Sequence, residues 1–563
     1  MQKISSQAMR LLRMVSAALS VCFILLLLVM SGISTCTIRG DYHETTFFIS
    51  APLLPKICLL ALFILALRFL RIRPLQDLLA RLNSDERFLE KVRRRCTLIL
   101  FFAAAFWVCV TQPTVISDQS EIQTAAEQIN YHDYSCTMPG GYLSRHQHQI
   151  GIVLTAALIQ RFVGRDNFLF FQLMNAVMAA LTFYYMSRLA QRMRLSGTVQ
   201  IGILVLGLLF FPYLFYSTFI YATIPSLLLS FAAFDLAARH EAVPGFKTAV
   251  LSALSMGFAI FLKQNALIFF IALFIYTVIT AWQKRSLMHF LLPVFLVITT
   301  ISALQLPKPI LEGITKTKLT GGITPYAYIT MGVQDGDRAP GWYNMYVNTS
   351  YGESEYNTEL QKEIVLRDLA ERLSYFRDNP SDALRFFLQK IASEWNNSTF
   401  EAFWINEVRG STIRPATWVN RISRPTGVDF IIRFLNPLQF LILALALTGL
   451  LDRSTDHPNL FYLPLLTFVG GFVFHAVWEA KCQYTLPYFI MLFPYAAYGI
   501  SVLRKAVCSP VKFFSGLSVG RKACLAVLLF LFVFAAILIA RSGILTTDNE
   551  AYAAYLSEVR SAK

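Results

Sequence analysis

The sequence predicts an all-α membrane protein whose helices cross a bilayer many times. Of its 563 residues, 55% are hydrophobic and only 15% are charged, and the mean hydropathy is +0.52. Soluble domains carry roughly 25% charged residues. The apolar residues also lie in long segments, as expected of helices surrounded by hydrocarbon. These observations exclude an ordinary soluble domain.

About 13 segments meet or approach the roughly 20 apolar residues that a helix needs to cross the hydrocarbon core. The first is followed directly by a second span and lacks a small-residue cleavage context, so we expect a membrane helix and not a cleaved signal. The predicted spans are residues 11–33, 52–70, 97–117, 168–189, 198–214, 217–238, 247–263, 266–283, 286–306, 431–452, 459–477, 483–504 and 521–541. Ile150–Val163 is too short to span, and we predict an amphipathic helix on the membrane surface.

Basic residues predict the orientation. They gather in loops 71–95, 187–194, 283–285 and 504–522, which share one side if the N-terminus is cytoplasmic. Because cytoplasmic loops are enriched in Lys and Arg, we predict a multi-pass cell-membrane protein with a cytoplasmic N-terminus and an extracytoplasmic C-terminus. Despite the net charge of +16, these scattered basic loops argue against a nucleic-acid partner.

This topology divides the chain into five regions. They are two N-terminal spans with a basic loop (1–96), a transmembrane core (97–306) with its first outer loop at 117–165, an outer-face loop domain (307–430), C-terminal transmembrane helices (431–541) and an outer-face tail (542–563). Within the loop domain, 363–395 predicts two amphipathic helices broken at Asn379-Pro380. The loop domain is too apolar for a solvated linker, so we expect it to pack on the bundle.

Three polar clusters lie at predicted outer ends of helices, where ionisable residues are costly and tend to mark function. In the first, Asp118 follows the third span and precedes Gln119 and Glu121. An acid at such a boundary can have a raised pKa and act as a general base. Alternatively, Asp118 only caps a helix, because Ser-Asp-Gln-Ser-Glu resembles a capping box.

The second cluster contains Arg145, His146 and His148. These side chains could hold a phosphate through charge-assisted hydrogen bonds, or they could form a polar surface turn. His-x-His also permits metal binding, but no third ligand is evident nearby. The nine cysteines form no CxxC pair. We therefore predict no cofactor and leave a divalent metal open.

The third cluster combines Lys263, in a short turn between two spans, with Glu479, Lys481 and Tyr484. Lys263 could instead snorkel to the outer headgroups, and Glu479 could form a structural ion pair with Lys481. All three clusters fall on one side of the membrane, which favours a common site.

The order of these features resembles the GT-C superfamily of membrane glycosyltransferases, which includes protein O-mannosyltransferases and bacterial lipid A aminoarabinose transferases. This resemblance covers most of the chain from about residue 97, and the first two spans look like an addition to it. The block GGITPYAYITMGVQDGDRAPGWYN (321–344) is similar to an outer-loop block of Gram-positive cell-envelope members. The other matching features are Asp118, YLSRHQHQIGIVLTAALIQRFVG (142–164), Lys263 and WEAKCQYTLPYFIMLFPYAAYG (478–499).

The sequence departs from the resemblance at two positions. Gln119 stands where many members have a second acid, and Gln483 stands where many have Arg. Phosphate binding at Gln483 is therefore not expected from the resemblance.

The resemblance implies an inverting transfer of sugar from a polyprenyl-phosphate donor to a glycan, lipid or protein acceptor on the outer face. Asp118 would deprotonate the acceptor hydroxyl, and Lys263, Arg145 and Lys481 would neutralise the departing phosphate. The implied catalytic residues are Asp118 and Glu121, and the implied donor-binding residues are Arg145, His146, His148, Lys263, Glu479, Lys481 and Tyr484. The alternatives are a transporter or flippase of lipid-linked glycans and an envelope glycan polymerase or ligase.

Overall fold

The protein is a helical bundle, and its computed structural model describes residues 2–407, 410–452 and 457–561. The sheet found in this part of the chain has two antiparallel strands, β1 (Ser34–Ile38) and β2 (Thr46–Ser50). The predicted all-α polytopic class is confirmed, with this hairpin as a small addition.

The helices follow one another with short connections. In the first half they are α1 (Gln2–Ile33), α2 (Leu53–Phe69), α3 (Arg73–Ser84), α4 (Glu86–Thr111), α5 (Asp118–Asn130), α6 (Tyr142–Arg145), α7 (Ile150–Val163), α8 (Phe168–Arg192), α9 (Gly197–Leu209), α10 (Pro212–Phe215), α11 (Thr223–Ala242), α12 (Phe246–Leu262), α13 (Leu267–Lys284) and α14 (Leu287–Gln305). In the second half they are α15 (Pro307–Thr315), α16 (Pro325–Met331), α17 (Tyr346–Glu353), α18 (Thr358–Asp378), α19 (Pro380–Trp395), α20 (Trp404–Glu407), α21 (Thr417–Ser423), α22 (Pro425–Leu451), α23 (Leu463–Val477), α24 (Cys482–Phe489), α25 (Phe493–Cys508), α26 (Pro510–Ser515), α27 (Val519–Ser542) and α28 (Asn549–Ser561).

Each predicted span coincides with a helix. Within the described ranges, nine helical segments are long and apolar enough to cross a membrane, and two bent pairs raise the number to eleven. The bends are 86° between α2 and α3 and 61° after α9. The remaining two predicted spans correspond to α11 and α12, which pack against each other within the bundle. The predicted short helix is α7, with the bounds expected from the sequence.

Loop contacts sort the connections into two groups at opposite ends of the bundle. At one end, which we call the basic end, Arg71 donates a hydrogen bond to the Cys508 carbonyl, which joins two of the predicted cytoplasmic loops. At the other end, which we call the site end, the Asp548 carboxylate accepts a hydrogen bond of 2.8 Å from the Phe48 amide. The loops thus separate as the basic residues predict, and which end faces the cytoplasm stays a prediction.

The predicted loop domain packs on the bundle. Its helices α18 and α19 are separated at Asn379, and Pro380 begins α19, where a missing N–H costs nothing. At the other end of α19, the Trp395 ring contacts Phe468 and Phe472 of α23 at centroid distances of 5.7 and 5.3 Å. The two helices broken at Asn379-Pro380 are therefore confirmed, and α19 makes the contact with the spans.

The first two spans and the C-terminal tail are integral parts of the fold. Helix α1 packs against α22 and α23 in the bundle. Helix α28, within the predicted tail, packs on β2, where the Phe47 ring contacts Tyr552 and Tyr555 at centroid distances of 5.3 and 5.6 Å. The hairpin is held in this way above the site end of the bundle.

Candidate functional site

The structure gathers residues of all three predicted clusters at the site end. Asp118 is the first residue of α5, Lys263 lies in the turn after α12, and Glu479 and Lys481 lie in the turn between α23 and α24. The charges of Lys481 and Lys263 both act on the Asp118 carboxylate. These elements meet because several consecutive spans end at the same side of the bundle.

Asp118 is placed as a free acid and not as a helix cap. Ser117 holds the N-cap position, with a left-handed φ of 50°, and makes no side-chain cap hydrogen bond. No hydrogen bond or ion pair within the described residues engages the Asp118 carboxylate. Protein surrounds this side chain, although water still reaches it. Burial raises its pKa, Lys481 and Lys263 partly oppose this change, and a further carboxylate, that of Glu44, reinforces it.

Lys263 is held inside the cluster. Its ammonium donates a hydrogen bond of 2.8 Å to the Thr223 hydroxyl and lies 4.4 Å from the centroid of the Tyr221 ring and 5.7 Å from that of Tyr484. Burial lowers the pKa of Lys263 to about 7, with the Asp118 charge opposing the change. These contacts favour a role in the site over the snorkelling alternative.

Lys481 is already paired. Its ammonium lies 2.7 Å from one Glu44 carboxylate oxygen and 3.9 Å from a Glu401 oxygen. The Arg338 guanidinium contacts the other Glu44 oxygen at 2.6 Å. Burial disfavours the charge of Lys481, but these two carboxylates outweigh burial and raise its pKa. Lys481 therefore belongs to a nearly neutral group of four charged side chains beneath the site.

Glu44, Arg338 and Glu401 are the site residues that the sequence analysis missed. Glu44 comes from the hairpin between the first two spans, a region outside the resemblance. Arg338 lies inside the 321–344 block. The resemblance includes this block, but it did not single out Arg338 as a site residue. Glu401 follows α19 and is 2% exposed, and burial raises its pKa to about 7. An acid in a short outer loop is the signal that identifies Glu44.

Glu479 faces the site but does not form the ion pair with Lys481 that the sequence allowed. It is 9% exposed, and burial raises its pKa to about 7, with Lys481 opposing the change. Glu121 lies on the next turn of α5 from Asp118, and its side chain is exposed. Both of these acids of α5 are therefore open to solvent.

The histidine cluster is neutral and partly directed toward the loop domain. His146 Nδ1 is hydrogen-bonded to the Tyr328 hydroxyl at 3.1 Å. Desolvation lowers the pKa of His146 to about 3 and that of His148 to about 4. Arg145 donates a hydrogen bond of 3.2 Å to the Asn348 side chain. No group of three potential metal ligands occurs in the described part of the chain.

Gln119 fixes the loop that carries Tyr221. Its side-chain oxygen accepts a hydrogen bond of 2.8 Å from the Ile220 amide, and the residue is 1% exposed. The Tyr221 hydroxyl accepts a hydrogen bond from Gln149. The residue beside Asp118 thus has a structural contact, which accounts for an amide at this position.

A cavity of about 810 Å³ joins the polar cluster to the apolar interior of the bundle. It lies between the turn after α12, the start of α15 and the loop domain. Its polar lining includes Lys263, His148, Glu479, Tyr328 and Tyr484. Its apolar lining includes Ile260, Phe261, Ile268, Leu304 and Phe474. Such a cavity suits a molecule with an anionic head and a hydrocarbon chain.

Fold and site together define a polytopic helical membrane protein with a polar cluster beside a cavity at one end of its spans. Residues 9–344 match the family described as conserved hypothetical integral membrane protein. This match covers more than half of the chain, and the protein belongs to that family. It includes the first two spans, Glu44, Asp118 and Lys263. No curated protein matches the chain.

Proposed function

We propose that this protein is a membrane glycosyltransferase that moves a sugar from a polyprenyl-phosphate donor to an acceptor on the outer face. One observation carries the proposal. Asp118, an acid without a direct partner among the described residues, lies within the electrostatic reach of Lys263, which lines the 810 Å³ amphipathic cavity. The resemblance to GT-C transferases agrees with this assignment.

The donor would enter from the bilayer. Its prenyl chain would lie against apolar residues such as Phe261 and Leu304, and its phosphate would lie near Lys263. A phosphodiester keeps one negative charge, so its approach favours the protonated form of Lys263. Neutral His148 and the Tyr484 hydroxyl line the same cavity and can contribute uncharged hydrogen bonds.

The reaction would be a single displacement. The acceptor hydroxyl loses its proton to Asp118 as its oxygen attacks the anomeric carbon, and the bond from this carbon to the phosphate oxygen breaks. The electron pair leaves with the lipid phosphate, where Lys263 stabilises the developing charge. The configuration at the anomeric carbon inverts. The loop domain covers this end of the bundle and would limit hydrolysis of the donor.

The test compares Asp118→Asn with the wild type in reconstituted membranes supplied with a radiolabelled polyprenyl-phosphate sugar. Loss of a general base typically lowers the rate roughly 100- to 10,000-fold, while asparagine preserves size. Asp166→Asn is the matched control, because Asp166 lies in the same outer segment with an 82% exposed side chain. The control should transfer sugar normally.

Two results would contradict the proposal. Near-normal transfer by Asp118→Asn would remove Asp118 as the base and direct attention to Glu121 and Asp133. Movement of an intact lipid-linked sugar between leaflets, without transfer by the wild type, would instead support a transporter. Donor binding should persist in Asp118→Asn, which separates loss of chemistry from loss of folding.

A further inference from the structure

A second large cavity lies at the basic end, across the bundle from Asp118. Its volume is about 1040 Å³. Its walls come from the bend between α2 and α3, the turn between α8 and α9, and the end of α25, which are far apart in sequence. Four cationic side chains line it, namely Arg71, Arg194, Arg504 and Lys505.

Among the described residues, these cations have no acidic neighbour in the cavity lining. Within the described ranges, no ion pair or hydrogen bond occupies the side chains of Arg194, Arg504 or Lys505. Arg71 is the exception, because it donates to the Cys508 carbonyl and lies 3.4 Å from its sulfur. Asp452, at the end of α22, is an acid that does not line the cavity, and it accepts a hydrogen bond of 2.7 Å from the hydroxyl of Tyr498, which does.

A topology signal alone does not explain this arrangement. The positive-inside rule requires basic residues in cytoplasmic loops, but it does not require cations from separate loops to line one cavity. Like charges brought together repel, and an anion between them relieves the repulsion. The Ser196, Thr198 and Ser501 hydroxyls supply neutral donors in the same cavity.

We propose that this cavity binds a phosphate group, carried either by an anionic phospholipid headgroup or by a soluble phosphate compound. Arginine and lysine suit phosphate through charge-assisted hydrogen bonds, and basic recesses between membrane helices hold lipid headgroups in this way. The bound phosphate would bridge α2, the α8–α9 turn and α25. The proposal does not depend on the chemistry assigned to Asp118.

The experiment removes two cations from the intact protein. Arg504→Gln combined with Lys505→Gln is compared with Lys284→Gln combined with Arg285→Gln, which changes the charge equally at exposed positions of the same end, outside the cavity. Each protein is reconstituted in mixed phosphatidylglycerol and phosphatidylcholine bilayers, and retained lipid is measured by native mass spectrometry. We expect the first variant to bind phosphatidylglycerol roughly 30-fold more weakly, and the control to match the wild type.

A second arm identifies the source of the phosphate. Inorganic phosphate is titrated calorimetrically into protein held in phosphatidylcholine bilayers. Binding of phosphatidylglycerol alone assigns a lipid headgroup, and binding of inorganic phosphate assigns a soluble compound. Arg504→Lys should restore most binding, which excludes a folding defect as the cause of loss. Equal binding by wild type and the Arg504/Lys505 variant, or binding of neither probe by the wild type, would overturn the proposal.

Discussion

Burial acts in opposite directions on the two central residues of the candidate site. It raises the pKa of the Asp118 carboxyl and lowers the pKa of Lys263 to about 7, while the charge of each opposes the shift of the other. Both groups are thus brought closer to neutral pH, where a general base is most effective. The site needs Asp118 deprotonated and Lys263 protonated at the same time.

We expect a bell-shaped dependence of kcat/KM on pH. The rate rises with pH as Asp118 loses its proton, and it falls above about pH 7 as Lys263 loses its own. Glu401 and Glu479, each with a pKa raised by burial to about 7, ionise in the same range and add negative charge near the departing phosphate. Transfer rates measured at subsaturating donor across pH 4–9 test this expectation.

Lys263→Met should lower kcat/KM by roughly 100-fold and make the alkaline limb shallower, because the glutamates alone then titrate. Lys247→Met is the matched control. Lys247 lies at the other end of α12 and is exposed, so its loss should leave both the rate and the profile unchanged. An unaltered profile in Lys263→Met would show that another group controls the alkaline limb.

Sequence reasoning located the charged residues that interrupt apolar segments, and it missed those that need the tertiary fold. Asp118 and Lys263 stand out because isolated charges beside long apolar runs are costly. Glu401 lies in a polar segment, where one more acid attracts no attention, and Glu44 lies in a short loop outside the resemblance. Because Glu44 was missed, the sequence predicts Lys481 as a phosphate ligand. In the structure, the Lys481 ammonium instead lies 2.7 Å from a Glu44 carboxylate oxygen, which neutralises its charge.

Among the helices, α19 joins the loop domain to the spans. Lys390 is fully buried in this helix and donates hydrogen bonds to the Gly332 carbonyl of the loop domain and, at 2.6 Å, to the Trp478 carbonyl at the end of α23. Burial lowers the pKa of Lys390 to about 8. The ammonium therefore stays charged at neutral pH and bridges a carbonyl of the loop domain and a carbonyl at the end of α23. Trp478 directly precedes Glu479, and both residues line the cavity.

Lys390→Met should destabilise the protein by about 1–3 kcal/mol, because two buried carbonyls lose their donor while methionine preserves most of the packing. The expected result is a lower Tm in detergent and faster proteolysis of residues 358–395. Lys362→Met is the control, since Lys362 is 42% exposed on α18 and forms a surface ion pair with Glu359 at 3.6 Å. Equal Tm values for wild type and Lys390→Met would show that α19 is held by other contacts.

The broad fold follows from the sequence because hydropathy sets helix position and length. All predicted spans correspond to helices, and the break at Asn379-Pro380 is where the sequence places it. The hairpin 34–50 and α28 could not be predicted in the same way. Their stability comes from contact with each other, as between Phe47 and Tyr555, and such long-range pairs leave no periodic pattern in the sequence.

The whole-molecule topology places the candidate site and the cationic cavity at opposite ends of the spans. If the basic end is cytoplasmic, the sugar-transfer site faces outward and the cationic cavity faces the leaflet where anionic lipids attract basic residues. Three native cysteines near the site end, Cys36, Cys136 and Cys482, are buried and would be poor reporters of the orientation. New cysteines at exposed positions test the orientation directly.

Ser381→Cys reports the site end, because Ser381 is exposed near the start of α19 in the loop domain. Ser84→Cys reports the basic end, because Ser84 is exposed at the end of α3. In intact cells, an impermeant thiol reagent should label Ser381→Cys above the level of the parent chain and leave Ser84→Cys at that level. After the membrane is opened, both should react, which controls for access to Ser84→Cys. Labelling of Ser84→Cys alone in intact cells would reverse the orientation and place Asp118 in the cytoplasm, where a donor presented on the outer face cannot reach it.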